Sequence, residues 1–264
     1  MSIYERQSGV PRFESIEYDI KRKDYVVLIP IINEGDRIIR ELTRAYENHI
    51  YDVADIVICD GGSTDGSTEE DKLKKLKVNS LLVKKDEGKQ GAQLRMGIWW
   101  ALEREYKGVI TIDGNDKDSI EDVPRFISKL ETGYDFIQGS RFIKGGQAIN
   151  TPIIRTIAVR LIHAPIISLA AHQKFTDTTN AYRGYSVNYL KDERVKPLRD
   201  IFVTYELLAY LSVRGPKLGL RACEIPVTRA YPQTGKTPTK ISFFRGNFEL
   251  MKILFRTLMG KYNP

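Results

Sequence analysis

Cysteine is nearly absent from this chain of 264 residues: Cys59 and Cys223 are the only two, far apart and in no paired motif. That excludes a disulfide framework and a cysteine-built zinc site, and it fits a reducing compartment. Histidine is almost as rare. His49, His163 and His172 have no metal-ligand spacing and read as surface or packed imidazoles. No stretch approaches the roughly 20 uninterrupted apolar residues of a spanning helix. The polar, charged N-terminus contains no signal-peptide core, so the expectation is a cytoplasmic protein. Internal repeats and low-complexity linkers are also missing.

What is present is a globular composition. An apolar share of 42% is enough for a real core and argues against a disordered chain. The balance of 41 basic and 34 acidic residues leaves a formal charge of +7. That suits anionic partners such as nucleotides, diphosphates or an acidic membrane surface, and equally a solvated basic surface. No nucleic-acid partner is expected.

Residues 1–23 are polar and read as an N-terminal extension. From there short apolar runs alternate with helical spacing. Strands are expected over 25–30, 55–59, 80–83, 109–112 and 136–139, and helices over 34–48, 69–76, 90–104 and 120–130. That alternation predicts an α/β fold with a mostly parallel, Rossmann-type sheet flanked by helices. In such sheets ligands bind outside the carboxyl ends of the strands. Three polar loops follow strands here: Pro30-Ile31-Ile32-Asn33-Glu34, Asp60-Gly61-Gly62-Ser63 and Asp113-Gly114-Asn115-Asp116. A lone acidic residue after a strand reads equally well as a helix cap. Three in order are harder to explain that way.

As an ordered set, these loops resemble glycosyltransferase family 2, with its GT-A fold. The first is similar to the family's Pro-x-x-Asn-Glu opening. The second is similar to Asp-Asp-Gly-Ser-Thr-Asp-Gly, with Gly61 in place of one Asp, and the third sits where the family keeps an Asp-x-Asp metal motif. Gly139-Ser140-Arg141-Phe142, Asp177-Thr178-Thr179-Asn180-Ala181-Tyr182-Arg183 and Glu224-Ile225-Pro226-Val227 resemble segments of the dolichol-phosphate mannose synthase branch. The resemblance spans roughly 25–242. It implies one GT-A domain over 24–264, with a nucleotide-sugar half at 24–140 and an acceptor half at 141–264.

The implied chemistry is transfer of a sugar from a nucleotide-sugar donor, with inversion. A divalent cation, Mg²⁺ or Mn²⁺, would neutralise the departing diphosphate. Asp113, Asn115 and Asp116 are its candidate ligands. Pro30, Glu34, Asp60, Gly62, Lys89, Asp113 and Gly114 are candidates for the donor pocket, joined by Lys236 and Lys240 from a polar loop expected to close over the donor. Asn115 stands where the family has a second Asp, and Lys117 where it has Gln or His. The alternatives are that Asp116 takes over as ligand or that Lys117 supplies positive charge directly.

On the acceptor side, Arg141 and Arg155 are the candidates for a polyprenyl phosphate, because planar guanidinium donors meet phosphate bidentately. A hydroxyl acceptor, on a soluble sugar or a glycan, would instead need a carboxylate base, with Asp177 first and Glu206 second. A non-catalytic nucleotide-sugar-binding module is a further reading. The stretches 152–171 and 243–262 mix apolar residues with arginine and lysine. They suit amphipathic helices on the cytoplasmic face of a membrane, or faces packed on the core or on a second copy in a homo-oligomer.

Overall fold

The strand Tyr25–Ile31 shows how the fold is built. Val26 and Leu28 enter one hydrophobic core, and the alternating residues Val27, Ile29 and Ile31 enter another. A strand covered on both faces reads as an unbroken apolar run because its period of two feeds two cores. The computed structural model describes residues 1–232 and 243–264.

In chain order the elements begin with β1 (Ser2–Tyr4), β2 (Phe13–Glu17), β3 (Tyr25–Ile31), α1 (Asp36–Glu47), β4 (Asp55–Asp60), α2 (Glu70–Lys75) and β5 (Ser80–Lys84). There follow α3 (Gln90–Glu103), β6 (Gly108–Thr111), α4 (Val123–Glu131), β7 (Phe136–Ser140), β8 (Gln147–Ile149), α5 (Ile153–Ala158) and α6 (Ala164–Ala171). The chain continues with β9 (Arg183–Ser186), α7 (Val187–Lys191), α8 (Glu206–Lys217), β10 (Ala222–Pro226), β11 (Thr228–Ala230) and α9 (Phe243–Leu258). The α/β expectation holds, with helices on both faces of a nine-stranded sheet ordered β1-β2-β5-β4-β3-β6-β9-β7-β10. Its centre, β5-β4-β3-β6, is parallel.

Residues 1–23, expected as an N-terminal extension, contribute strands β1 and β2 to the sheet. β2 pairs antiparallel with β5 along the sheet, and Val10 and Phe13 are buried in the core. The alternation that marks this strand lasts only five residues, too short to stand out from its charged surroundings.

β9 decides the geometry of the site. It lies between β6 and β7 and is antiparallel to both, so β6 and β7 point the same way. β10 runs parallel to β7. The segments after β6, β7 and β10 therefore leave the sheet on one rim.

Past β8, helices α5 and α6 are joined by a wider π-type turn, Val159–His163, into one helix. By length and composition Ile153–Ala171 is long and apolar enough to cross a membrane, at 19 residues and a mean hydropathy of 1.6. The absence of an uninterrupted run did not reveal this, because arginines and a histidine punctuate the stretch. Its second half is anchored in the protein: Ile167, Ala170 and Ala171 sit in the same core as α8 and as Ile253 and Leu254 of α9. Its first half leaves Ile153, Ile154 and Leu161 exposed, at 77%, 71% and 71%.

Candidate active site

The rim at the carboxyl ends of β3, β4 and β6 is shaped by hydrogen bonds among the expected loops. Asp60 closes β4 and accepts from the Gly62 amide at 3.0 Å, the Ser63 amide at 2.9 Å and the Ser63 hydroxyl at 2.5 Å. Its carboxylate is buried and engaged with its own loop, so its direct effect here is to hold the turn. Gly62 has φ 99°, a conformation that glycine adopts without strain. Asn33 and Ser63 tie this loop to the one after β3 through Asn33 N to Ser63 Oγ, 2.9 Å, and Thr64 N to Asn33 Oδ1, 2.8 Å. Glu34 pairs with Arg37 at 2.8 Å. Pro30 is buried within β3 opposite Cys59, beneath the loops of the rim.

Asp113 follows β6 and is 20% exposed. One oxygen accepts from Gln90 Nε2 at 2.8 Å and the other lies 3.4 Å from Arg229 Nη2. Gln90 opens α3 directly after the exposed Lys89, which places Lys89 on the same rim. Gly114 is required by packing: a Cβ there would lie 2.5 Å from Ile31 Cγ2 and 2.9 Å from Ile29 Cγ2. Gly114→Ala is expected to destabilise the protein by about 1–3 kcal/mol, as overpacking does. Urea denaturation would measure it, and an unchanged midpoint would refute the packing role.

Asp116, expected as a metal ligand, points away from Asp113 toward α1. Its backbone turns at φ 59°, and its carboxylate lies against α1, paired with Arg40 at 2.9 Å and Arg44 at 3.0 Å. Asn115 Oδ1 is buried with no hydrogen-bond partner among the described residues.

β11 pairs with β8 and also meets the segment after Asp116: Ala230 N donates to Lys117 O at 2.7 Å and Ser119 N to Thr228 O at 3.0 Å. This carries the buried Arg229 between Asp118, which it contacts through Nη1, and Asp113. Burial opposes the guanidinium charge, but Asp118 and then Asp113 hold Arg229 well above the ordinary arginine range. Lys117 is buried nearby, its Nζ 5.1 Å from the centre of the Tyr231 ring. Burial and then the charge of Arg229 push its ammonium below the usual lysine range.

Among the described residues, two carboxylates and two basic side chains thus cluster where the Mg²⁺ or Mn²⁺ site is expected. Among the described residues no group of three or more His, Cys, Asp and Glu stands ready to hold a metal. The set that remains, Asp113 and the neutral Asn115, does not fit a divalent cation. It offers a single carboxylate already engaged by Gln90 and Arg229, and a bound ion would face the guanidinium held against Asp113.

On the acceptor side, Arg141 and Asp177, both expected at the site, meet each other. Arg141 Nε donates to Asp177 Oδ2 at 2.6 Å and Nη2 to Oδ1 at 2.9 Å, both side chains being buried. Asn180 Nδ2 adds a bond to Asp177 at 3.1 Å. In this structure each of the two charged side chains is the other's partner. Glu206 is engaged too: it opens α8 and accepts from the Thr204 amide at 2.5 Å and the Thr204 hydroxyl at 3.0 Å.

Arg155 lies beside the Arg229 cluster. From α5 it donates to the Tyr231 hydroxyl at 2.7 Å. Burial works to raise the Tyr231 hydroxyl, yet Arg229 and Arg155 together bring it below the usual tyrosine range. Tyr205, just before α8, is pushed up by burial and then by the charge of Asp113. Lys236 and Lys240 lie outside the described residues. Gln90, Arg229 and Tyr231 were not singled out from the sequence. The one available signal was position, since Arg229 and Tyr231 follow Glu224-Ile225-Pro226-Val227 and Gln90 follows Gly88-Lys89.

With this geometry in place, comparison with known proteins decides the family. The family model described as glycosyl transferase family 2 matches residues 26–193. The chain belongs to that family. It is accordingly a nucleotide-sugar-dependent glycosyltransferase.

The undecaprenyl-phosphate mannosyltransferase of Micrococcus luteus is 26% identical over 216 residues, covering 80% of this chain and 86% of its own length. The polyprenol monophosphomannose synthase of Mycolicibacterium smegmatis is 23% identical, covering 77% of this chain and 76% of its own. Among solved structures, glucosyl-3-phosphoglycerate synthase from Mycobacterium tuberculosis, in complex with Mn²⁺, UDP-glucose and phosphoglyceric acid, matches with a TM-score of 0.59 at 16% identity. That match covers 90% of this chain and 79% of the other, a likeness of fold.

Proposed function

We propose that this glycosyltransferase moves a sugar from a nucleotide-sugar to a polyprenyl phosphate at a membrane surface. The observation that carries this reading is Arg155. It sits in the exposed apolar first half of the helix Ile153–Ala171 and meets Tyr231 beside the Arg229–Asp113 contact. A lipid phosphate whose tail lies along that apolar face would bring its headgroup to Arg155. The exposed Phe248 and Phe255 of α9 extend the apolar surface. The names of the Micrococcus and Mycolicibacterium relatives support the same acceptor class.

A phosphate oxygen attacks the anomeric carbon from the face opposite the diphosphate. The bond from that carbon to the diphosphate oxygen breaks, its electron pair stays with the leaving diphosphate, and the configuration inverts. An ionised phosphate needs no base. A hydroxyl acceptor would need one, and the two carboxylates expected for that task, Asp177 and Glu206, are engaged elsewhere.

The test offers a short-chain polyprenyl phosphate and, separately, a neutral sugar. Transfer to the phosphate is expected. Arg155→Ala should raise its KM about 10–100-fold, the worth of one charge-assisted hydrogen bond of roughly 1.5–3 kcal/mol, and leave donor hydrolysis nearly unchanged. Transfer to the neutral sugar alone, insensitive to Arg155→Ala, would overturn the reading.

A further inference from the structure

We propose that Arg229, assisted by Lys117, does the work of a divalent cation at this site, so that donor binds and reacts without metal. The proposal rests on the nucleotide-sugar reading above and on three observations.

The first is charge. Asp113 and Asp118 are matched by Arg229 and Lys117, and the position that would make the cluster acidic holds the neutral Asn115. The second is anchoring. Arg229 is clamped between two carboxylates, and its strand is fixed by backbone bonds to β8 and to Lys117 and Ser119. A charge preorganised in this way stabilises a developing anion without reorganising during the reaction. The third is that Asp116, the remaining carboxylate of the loop, is turned onto Arg40 and Arg44.

As the bond to the sugar breaks and its electron pair moves onto the diphosphate oxygen, negative charge accumulates beside Asp113. The guanidinium donates hydrogen bonds to that charge and no proton is transferred. Asp113 becomes a positioning residue that aims Arg229 and need not be a metal ligand.

The experiment measures binding of UDP and of GDP to the full chain by calorimetry, in EDTA and then in Mn²⁺, with Mn²⁺ binding to the wild type followed by electron paramagnetic resonance. For whichever nucleotide binds, the affinity is expected to agree within about 2-fold between the two conditions, with no protein-bound Mn²⁺ signal before nucleotide is added. Arg229→Gln should weaken binding in EDTA about 10–100-fold, as loss of one charge-assisted contact does, and Arg229→Lys should recover part of it. The wild-type comparison stands even where Arg229→Gln does not fold. Binding lost in EDTA and restored by Mn²⁺ would overturn the proposal and leave the donor reading intact. Binding of neither nucleotide in either condition would overturn both.

Discussion

Asp113→Ala is expected to lower turnover by about 10²–10³, the usual loss when one preorganised group at a developing charge is removed. Asp113 lies at the end of β6, where it accepts from Gln90 and faces Arg229. Without it Gln90 loses its acceptor and Arg229 keeps only its Asp118 anchor, so the cation would no longer be aimed at the rim. The side chain is partly exposed, and its loss leaves the Arg229–Asp118 pair in place. The fold should therefore survive, with a thermal midpoint within a few degrees of wild type. Steady-state kinetics on donor hydrolysis and transfer, read beside a melting curve, provide the check. Wild-type turnover in a folded Asp113→Ala protein would remove this residue from the site.

The largest effect on stability is expected from Asp177→Ala. Arg141 would then be buried without its partner, and Asn180 would lose an acceptor. Breaking a buried ion pair on one side costs about 3–5 kcal/mol, because the remaining charge is uncompensated. For a chain of this size that corresponds to a fall in Tm of roughly 6–20 °C, out of a total stability of only about 5–15 kcal/mol. The double variant Arg141→Met with Asp177→Ala should recover much of the loss, since it removes both charges. Chemical denaturation of the three proteins measures this. The opposite pattern, an unchanged midpoint in Asp177→Ala with turnover abolished, would restore Asp177 as a catalytic base.

The two variants also separate what could be read locally from what could not. β3, β4 and β6 were legible because burial has a period. Val26 and Leu28 go to one core and Val27 and Ile29 to the other, and an apolar run ended by Pro30, Asp60 or Asp113 marks where a strand stops and a loop begins. The order of the loops then pointed to the family. β2 was not legible, because its five residues hide one short alternation in a charged stretch.

The partners of the charged groups were a different matter. Arg141 and Asp177 are 36 positions apart, and Arg229 is 116 from Asp113. No pattern along the chain says which carboxylate an arginine will meet. Asp116 and Asp118, two residues apart, face different cations because the backbone turns at Asp116. The sequence by itself determined the parallel α/β centre, the polar loops at its strand ends and the family, since hydrophobic periodicity and loop composition are local. Only the tertiary structure decided which charges pair with each other. That choice depends on β9 lying antiparallel between β6 and β7 and on β11 docking against Lys117 and Ser119. A buried charge takes whatever opposite charge the packing brings within reach.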